Sequence, residues 1–193
     1  MRTYLTAIAG ILAVGLALGS SGGNALAQAP PADKAADAAP IKVGAILAVT
    51  GGASFLGAPE QKTLEMLVGK MNDAGGVLGH KIQLIVKDSG SKPENAISLA
   101  KQLIDEEKVL AIIGPSTSGE TMAIKNICQE ERMILISCAA AEDIVKPVAK
   151  YVFKTPQKDS DAARLIFQTM KAKGISKVGV ITSNDGFGMA GKA

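Results

Sequence analysis

The chain has 193 residues, a formal net charge of +3 and 47% hydrophobic residues, with two Tyr, four Phe and no Trp. So small a charge, with so few side chains able to stack on bases, argues against a nucleic-acid partner. One His and two Cys leave no metal-ligand set at suitable spacing, and no cofactor is expected.

Residues 1–27 read as an export signal: Arg2 supplies the positive start, Ala7 to Leu18 the apolar stretch, and Ala25-Leu26-Ala27 the small-residue cleavage site. Cleavage is expected before Gln28. The apolar stretch is too short for a bilayer, which takes ~20 residues. Residues 28–40, rich in Ala, Pro and Asp, lack an apolar period and are expected to form a flexible leader. From Ile41 to Ala193 there is about one domain's worth of chain, rich enough in Ile, Val, Leu and Ala to bury a core.

The first strand is expected at Ile41–Leu47, followed by a small-residue loop from Val49 to Gly57. Leu64, Leu67, Val68 and Met71 have helical spacing, with Pro59 in the first turn and Ala74-Gly75-Gly76 as the stop. Ile82–Val86 is the next strand. Pro93 opens a helix carrying Ala96, Leu99, Ala100, Leu103 and Ile104. Strands at Val109–Ile113 and Met133–Ile136 flank a helix marked by Met122, Ala123 and Ile127. Tyr151–Phe153 and Val178–Ile181 read as further strands, separated by a helix with Ala163, Ile166, Phe167 and Met170. Strands apolar nearly throughout, alternating with helices, define an α/β class: a doubly wound parallel sheet covered on both faces.

Ligands of such sheets sit beyond the carboxyl ends of the strands. Three loops of small residues fall there: Val49–Gly57, Gly114–Gly119 and Ser137–Ala141. In the second, an apolar strand stops at Gly114-Pro115 and Ser116, Thr117 and Ser118 open a helix. Unpaired amides and the positive end of the helix dipole there suit a carboxylate. The same residues also fit an ordinary capping box, with Thr117 bonding Glu120 and Ser118 facing water. Each loop by itself is also compatible with a plain βα turn. His80 is expected in a surface turn, and Cys128 and Cys138 as two buried thiols.

An ordered series of segments resembles the leucine/isoleucine/valine-type solute-binding proteins of bacterial ABC importers, of the type I periplasmic binding protein fold. It runs through Ile41-Lys42-Val43-Gly44, Thr50-Gly51, Met71–Gly79, Lys87-Asp88-Ser89, Ala111–Pro115, Ile134–Ser137, Tyr151–Thr155 and Asn184–Gly188. The resemblance implies a two-lobed protein that closes on a small amino acid, branched-chain or hydrophobic, and delivers it to a membrane permease from the periplasm. It places Ser118 on the ligand carboxylate, with backbone groups of the Ala139-Ala140-Ala141 loop beside it. Leu56, Ser116 and Thr117 line the side-chain pocket, and Phe187 stands where the family usually has Tyr on the second lobe. Ala141 replaces a Thr whose hydroxyl receives the ligand ammonium in many amino-acid binders. Binding of aromatic or aliphatic carboxylates without an amino group is therefore the second expectation for the ligand. Family members run to about twice this chain, which assigns 41–155 to the first lobe, and 156–193 to a hinge near Thr155-Pro156-Gln157 and the beginning, one helix and one strand, of a truncated second lobe.

No catalytic constellation is expected. Ser118 lacks a base, because His80 falls near the start of the second strand, at the opposite edge of the sheet. A Gly-rich turn without a following Lys is not a P-loop. The ligand-binding module of a sensory receptor is the alternative from another class, since the same two-lobed architecture serves there.

Overall fold

A computed structural model describes residues 38–193. The expected export signal and nearly all of the expected leader lie outside the described residues. Five strands form one parallel sheet in the order β2-β1-β3-β4-β5. They are β1 Ile41–Leu47, β2 Ile82–Asp88, β3 Ala111–Ile113, β4 Ile134–Ser137 and β5 Val152–Lys154. Helix α1 (Ser54–Asp73) connects the first pair, α2 (Pro93–Asp105) leads to β3, and α3 (Ser118–Glu130) leads to β4. A short 3-10 helix, Glu142–Ile144, precedes β5, and α4 (Asp159–Ala172) and α5 (Gly186–Lys192) follow it. The expected doubly wound α/β class is the class observed.

Alternation along the strands decides which residues make the core. Ile46, Ile112, Leu135 and Val152 point to one face, where they pack with Ala96, Ala100 and Leu103 of α2 and Ile124 and Cys128 of α3. Gly44 lies on that face because Leu103 fills the space a side chain would take: a Cβ there would stand 2.8 Å from Leu103 Cδ1. On the other face α1 packs along β1 and β2. Beyond it the sheet is less covered, and Ile134 and Phe153 remain 38% and 51% exposed. Right-handed crossovers explain the split, since β1 to β2 and β2 to β3 run in opposite directions across the sheet.

Three expectations need correction. Pro59 lies inside α1 rather than in its first turn, because the helix already begins at Ser54. Ser54 to Gly57 are thus helical rather than part of the loop; the turn from Gly51 O to Ser54 N, 3.2 Å, starts the helix early. Val178–Ile181 is not a strand. Its apolar run has no ladder to join among the described residues, and Ile181 is fully exposed. The segment from Asp159 onward therefore holds two helices, α4 and α5, and no strand. No helix among the described residues is long and apolar enough to cross a membrane.

Candidate functional site

The winding changes direction between β1 and β3, which are hydrogen-bonded neighbours, while α1 and α3 leave their carboxyl ends toward opposite faces. Such a parting of connections leaves a crevice at the sheet edge. Gly114 closes β3 there with φ +92°, and a Cβ on it would meet Ile46 O at 2.1 Å. Only glycine fits this turn. Its amide donates to Ile136 O at 2.9 Å, so the exit of β3 is fastened to β4 as well.

Beyond Gly114 each hydroxyl has a distinct partner. Ser116, 3% exposed, accepts from Ala48 N at 3.0 Å and donates to Glu60 Oε2 at 2.5 Å. This ties the exits of β1 and β3 to α1. Thr117 is the N-cap of α3: its Oγ1 accepts from Glu120 N at 3.4 Å and donates to Glu120 Oε2 at 2.5 Å. The capping partnership expected for Thr117 and Glu120 is present, with the carboxylate meeting the cap's hydroxyl. Ser118 does not face water. It is 3% exposed and accepts from Ala141 N at 3.2 Å, which draws the loop after β4 onto the start of α3.

That loop is held from both sides. Ser137 Oγ accepts from Ala139 N at 3.0 Å and shares a hydrogen bond with Thr121 Oγ1 at 2.8 Å. From β5, the Lys154 ammonium donates to Ala140 O, to Ala141 O at 3.3 Å and to Gln157 O at 3.2 Å. Ala139 and Ala141 are buried and Ala140 is half-buried. Neither Glu60 nor Lys154 was singled out by the sequence, although both touch the site residues directly. Nothing in the spacing marks either one, since each meets its partners only through the fold.

The electrostatics of this corner are acidic behind and basic at the rim. Burial pushes the Glu60 carboxyl up from its ordinary 4.5; the Ser116 hydroxyl opposes this, and the charge of Glu120 adds to it. Glu120 is fully buried, and its Oε1 has no partner among the described residues. Burial also raises the Cys138 thiol to about 11, with Glu60 contributing, and burial alone raises Cys128 to about 12. Both cysteines are free, Cys128 buried and Cys138 half-buried rather than buried as expected. No cluster suited to a metal ion occurs among the described residues.

The remaining site residues expected from the sequence stand at the margin. The loop after β1 meets α3's approach through Ala48, whereas its tip turns the other way: Thr50 Oγ1 donates to Asp88 Oδ2 at 2.6 Å, and Ala53 N donates to Ser91 Oγ at 2.9 Å. Leu56 lies in the first turn of α1 and is 38% exposed. Phe187, 53% exposed, follows Gly186, whose backbone touches the start of α3 so closely that a Cβ would stand 2.8 Å from Gly119 N. His80 pairs with Val77 in a turn near the start of β2, away from this edge.

Short loops thus meet at the switch point of a parallel sheet, the place where ligands of such sheets sit. Residues 40–193 match the family model of the periplasmic binding proteins, and the chain belongs to that family. A Leu/Ile/Val-binding protein of Rhizobium johnstonii is 25% identical over 155 residues, covering 78% of this chain and 41% of the relative. The branched-chain amino acid transporter substrate binding protein LivJ of Streptococcus pneumoniae, solved in complex with isoleucine, is 33% identical with a TM-score of 0.60, covering 63% of this chain and 35% of that one. A solute binding protein of an ABC transporter from Rhodopseudomonas palustris BisB5, solved in complex with 3,4-dihydroxy benzoic acid, is 27% identical with a TM-score of 0.72; the match covers 80% of this chain and 42% of that one. The chain spans about two fifths of the length of the curated relatives it matches.

Proposed function

We propose that this chain supplies the first lobe of an extracytoplasmic solute-binding protein that captures a small hydrophobic acid for an ABC importer. The ligand is a branched-chain or other hydrophobic amino acid, or an aromatic or aliphatic carboxylate in the same role. Its carboxylate rests at the start of α3, between Ser118 and the Ala139-Ala140-Ala141 loop, with Ser116, Thr117 and Leu56 toward its side chain and Phe187 approaching from the other lobe. The observation that carries this reading is the hydrogen bond from Ala141 N to Ser118 Oγ, which unites two loops at the switch point. Related proteins named for Leu/Ile/Val binding and a relative holding a dihydroxybenzoate support both ligand classes.

Ligand contacts from two lobes exist together only in the closed state, so binding shifts the population toward closure around the hinge near Thr155-Pro156-Gln157. The closed form is the one a permease would read. Export through the signal at residues 1–27 would bring the protein to the periplasm. No covalent step is involved.

A melting-temperature panel tests this reading, because a ligand that binds the native state raises the transition by an amount that grows with the logarithm of its concentration relative to Kd. Leucine, isoleucine, valine, benzoate and isovalerate are the acids to compare, with glucose and putrescine as controls. Stabilisation by one or more of the acids and by neither control is the expected result. Stabilisation by none of the acids at millimolar concentration would remove the proposed function.

A further inference from the structure

We infer that Lys154 is a positioning residue that latches the segment leaving β5 to the loop leaving β4, so that the two move together. The inference goes beyond the proposed function and needs no ligand; only its bearing on lobe closure rests on that reading.

β4 and β5 are parallel neighbours with Ser137 opposite Lys154, so the segments that follow them leave the sheet side by side. Three links join these segments. Thr155 N and Thr155 Oγ1 both donate to Ser137 O, at 3.0 and 3.4 Å. The half-buried Lys154 donates to Ala140 O, to Ala141 O at 3.3 Å and to Gln157 O at 3.2 Å. Further on, Lys146 and then the Ser160 hydroxyl of α4 hold the Glu142 carboxyl down to about 2.

The middle link is the one that fixes the course of the chain. Thr155 extends the β4–β5 pairing and sets only where β5 ends. The Glu142 contacts are exposed to solvent, where such pairs contribute little. An ammonium has three protons, and here carbonyls on both segments receive them from one atom, as charge-assisted bonds. Ala139 is held differently, through its amide on Ser137 Oγ at 3.0 Å. The far side of the loop is anchored on α3, where Ala141 N donates to Ser118 Oγ. A shift of that anchor therefore passes through Ala141 O and Lys154 to Gln157. In the closure proposed above, bending at Thr155-Pro156-Gln157 must carry the loop along or break the bond to Gln157 O.

The test perturbs one segment and reads the other, by amide hydrogen exchange followed by NMR on the ligand-free full chain. Ser118→Ala removes the loop's anchor. It is expected to speed exchange at Ala141 and also, about tenfold, at Asp161 and Ala162 in the first turn of α4, with Ile112 and Leu135 in the sheet unchanged. Lys154→Met should speed exchange on both segments, and adding Ser118→Ala to it should then leave Asp161 and Ala162 where they are, which a merely local structural role would not produce. Lys154→Arg, whose guanidinium can still donate to these carbonyls, should keep the parent pattern. Faster exchange at Ala141 alone in Ser118→Ala would overturn the latch. So would faster exchange on only one of the two segments in Lys154→Met, a result that decides the matter even if Ser118→Ala does not fold; the Ser118→Ala result likewise decides it if Lys154→Met does not. Either failure leaves the proposed function standing, since no ligand enters the measurement.

Discussion

Ser118 Oγ stands 3.2 Å from Ala141 N, so the hydroxyl that opens α3 is also the acceptor that fixes the loop leaving β4. Both groups are buried. Ser118→Ala strands that amide without a partner and is expected to destabilise the chain by about 1–3 kcal/mol in urea unfolding. It should also weaken binding of whichever acid stabilises the protein. Unaltered stability would show that the loop does not depend on this bond.

Glu60 is expected to give the stability a measurable pH dependence. Its folded-state carboxyl holds its proton above the ordinary 4.5, so the native state binds more protons than the unfolded chain in the interval above that value. The contribution is full below 4.5 and is lost as pH rises through the raised value. Glu60→Gln, which can still accept from Ser116, should flatten that part of the profile and be relatively more stable at neutral pH. Chemical denaturation at a series of pH values reads the difference. A variant whose profile parallels the parent over this interval would contradict it.

Gly114→Ala tests the turn that opens the crevice. The substitution demands a left-handed conformation from alanine and drives its methyl toward Ile46 O, with a Cβ at 2.1 Å. A loss of more than about 2 kcal/mol is expected from the two effects together. Gly52→Ala, where a Cβ meets nothing within 4 Å, serves as the comparison and should change stability far less in the same assay.

The two thiols should be inert in the native state. Burial raises Cys128 to about 12 and Cys138 to about 11, which leaves almost no thiolate at mildly alkaline pH. Mass spectrometry after brief iodoacetamide treatment is expected to find both unmodified, and both alkylated once the chain is denatured. Rapid native labelling of Cys138, the less buried of the pair, would show that its loop opens.

The sequence exposed the fold more fully than the site. Ile41–Leu47 is bounded as its apolar run suggests, and Thr117 caps α3 as its spacing to Glu120 suggests, because both depend on neighbours within a few residues. Val178–Ile181 shows the limit: an apolar run has strand character only when a neighbouring strand completes its ladder. The site residues Ser116 and Ser118 could be picked out as hydroxyls at a helix start. Their partners could not. Glu60 lies 56 positions from Ser116, and Ala141 lies 23 from Ser118. Lys154 falls just past the strand expected at Tyr151–Phe153, and its grip on Ala140 and Ala141 arises only from β4 and β5 lying side by side.

The opposed departures of α1 and α3 separate the opening from the core. The opening between β1 and β3 is created by backbone routing, with Gly114 at its corner, rather than by the side chains that border it. Ile46, Ile112 and Leu135 belong to the core cluster, to which Ser116, Ser118 and Lys154 do not belong. A change confined to that border therefore meets a different set of neighbours from a change in the core beneath it.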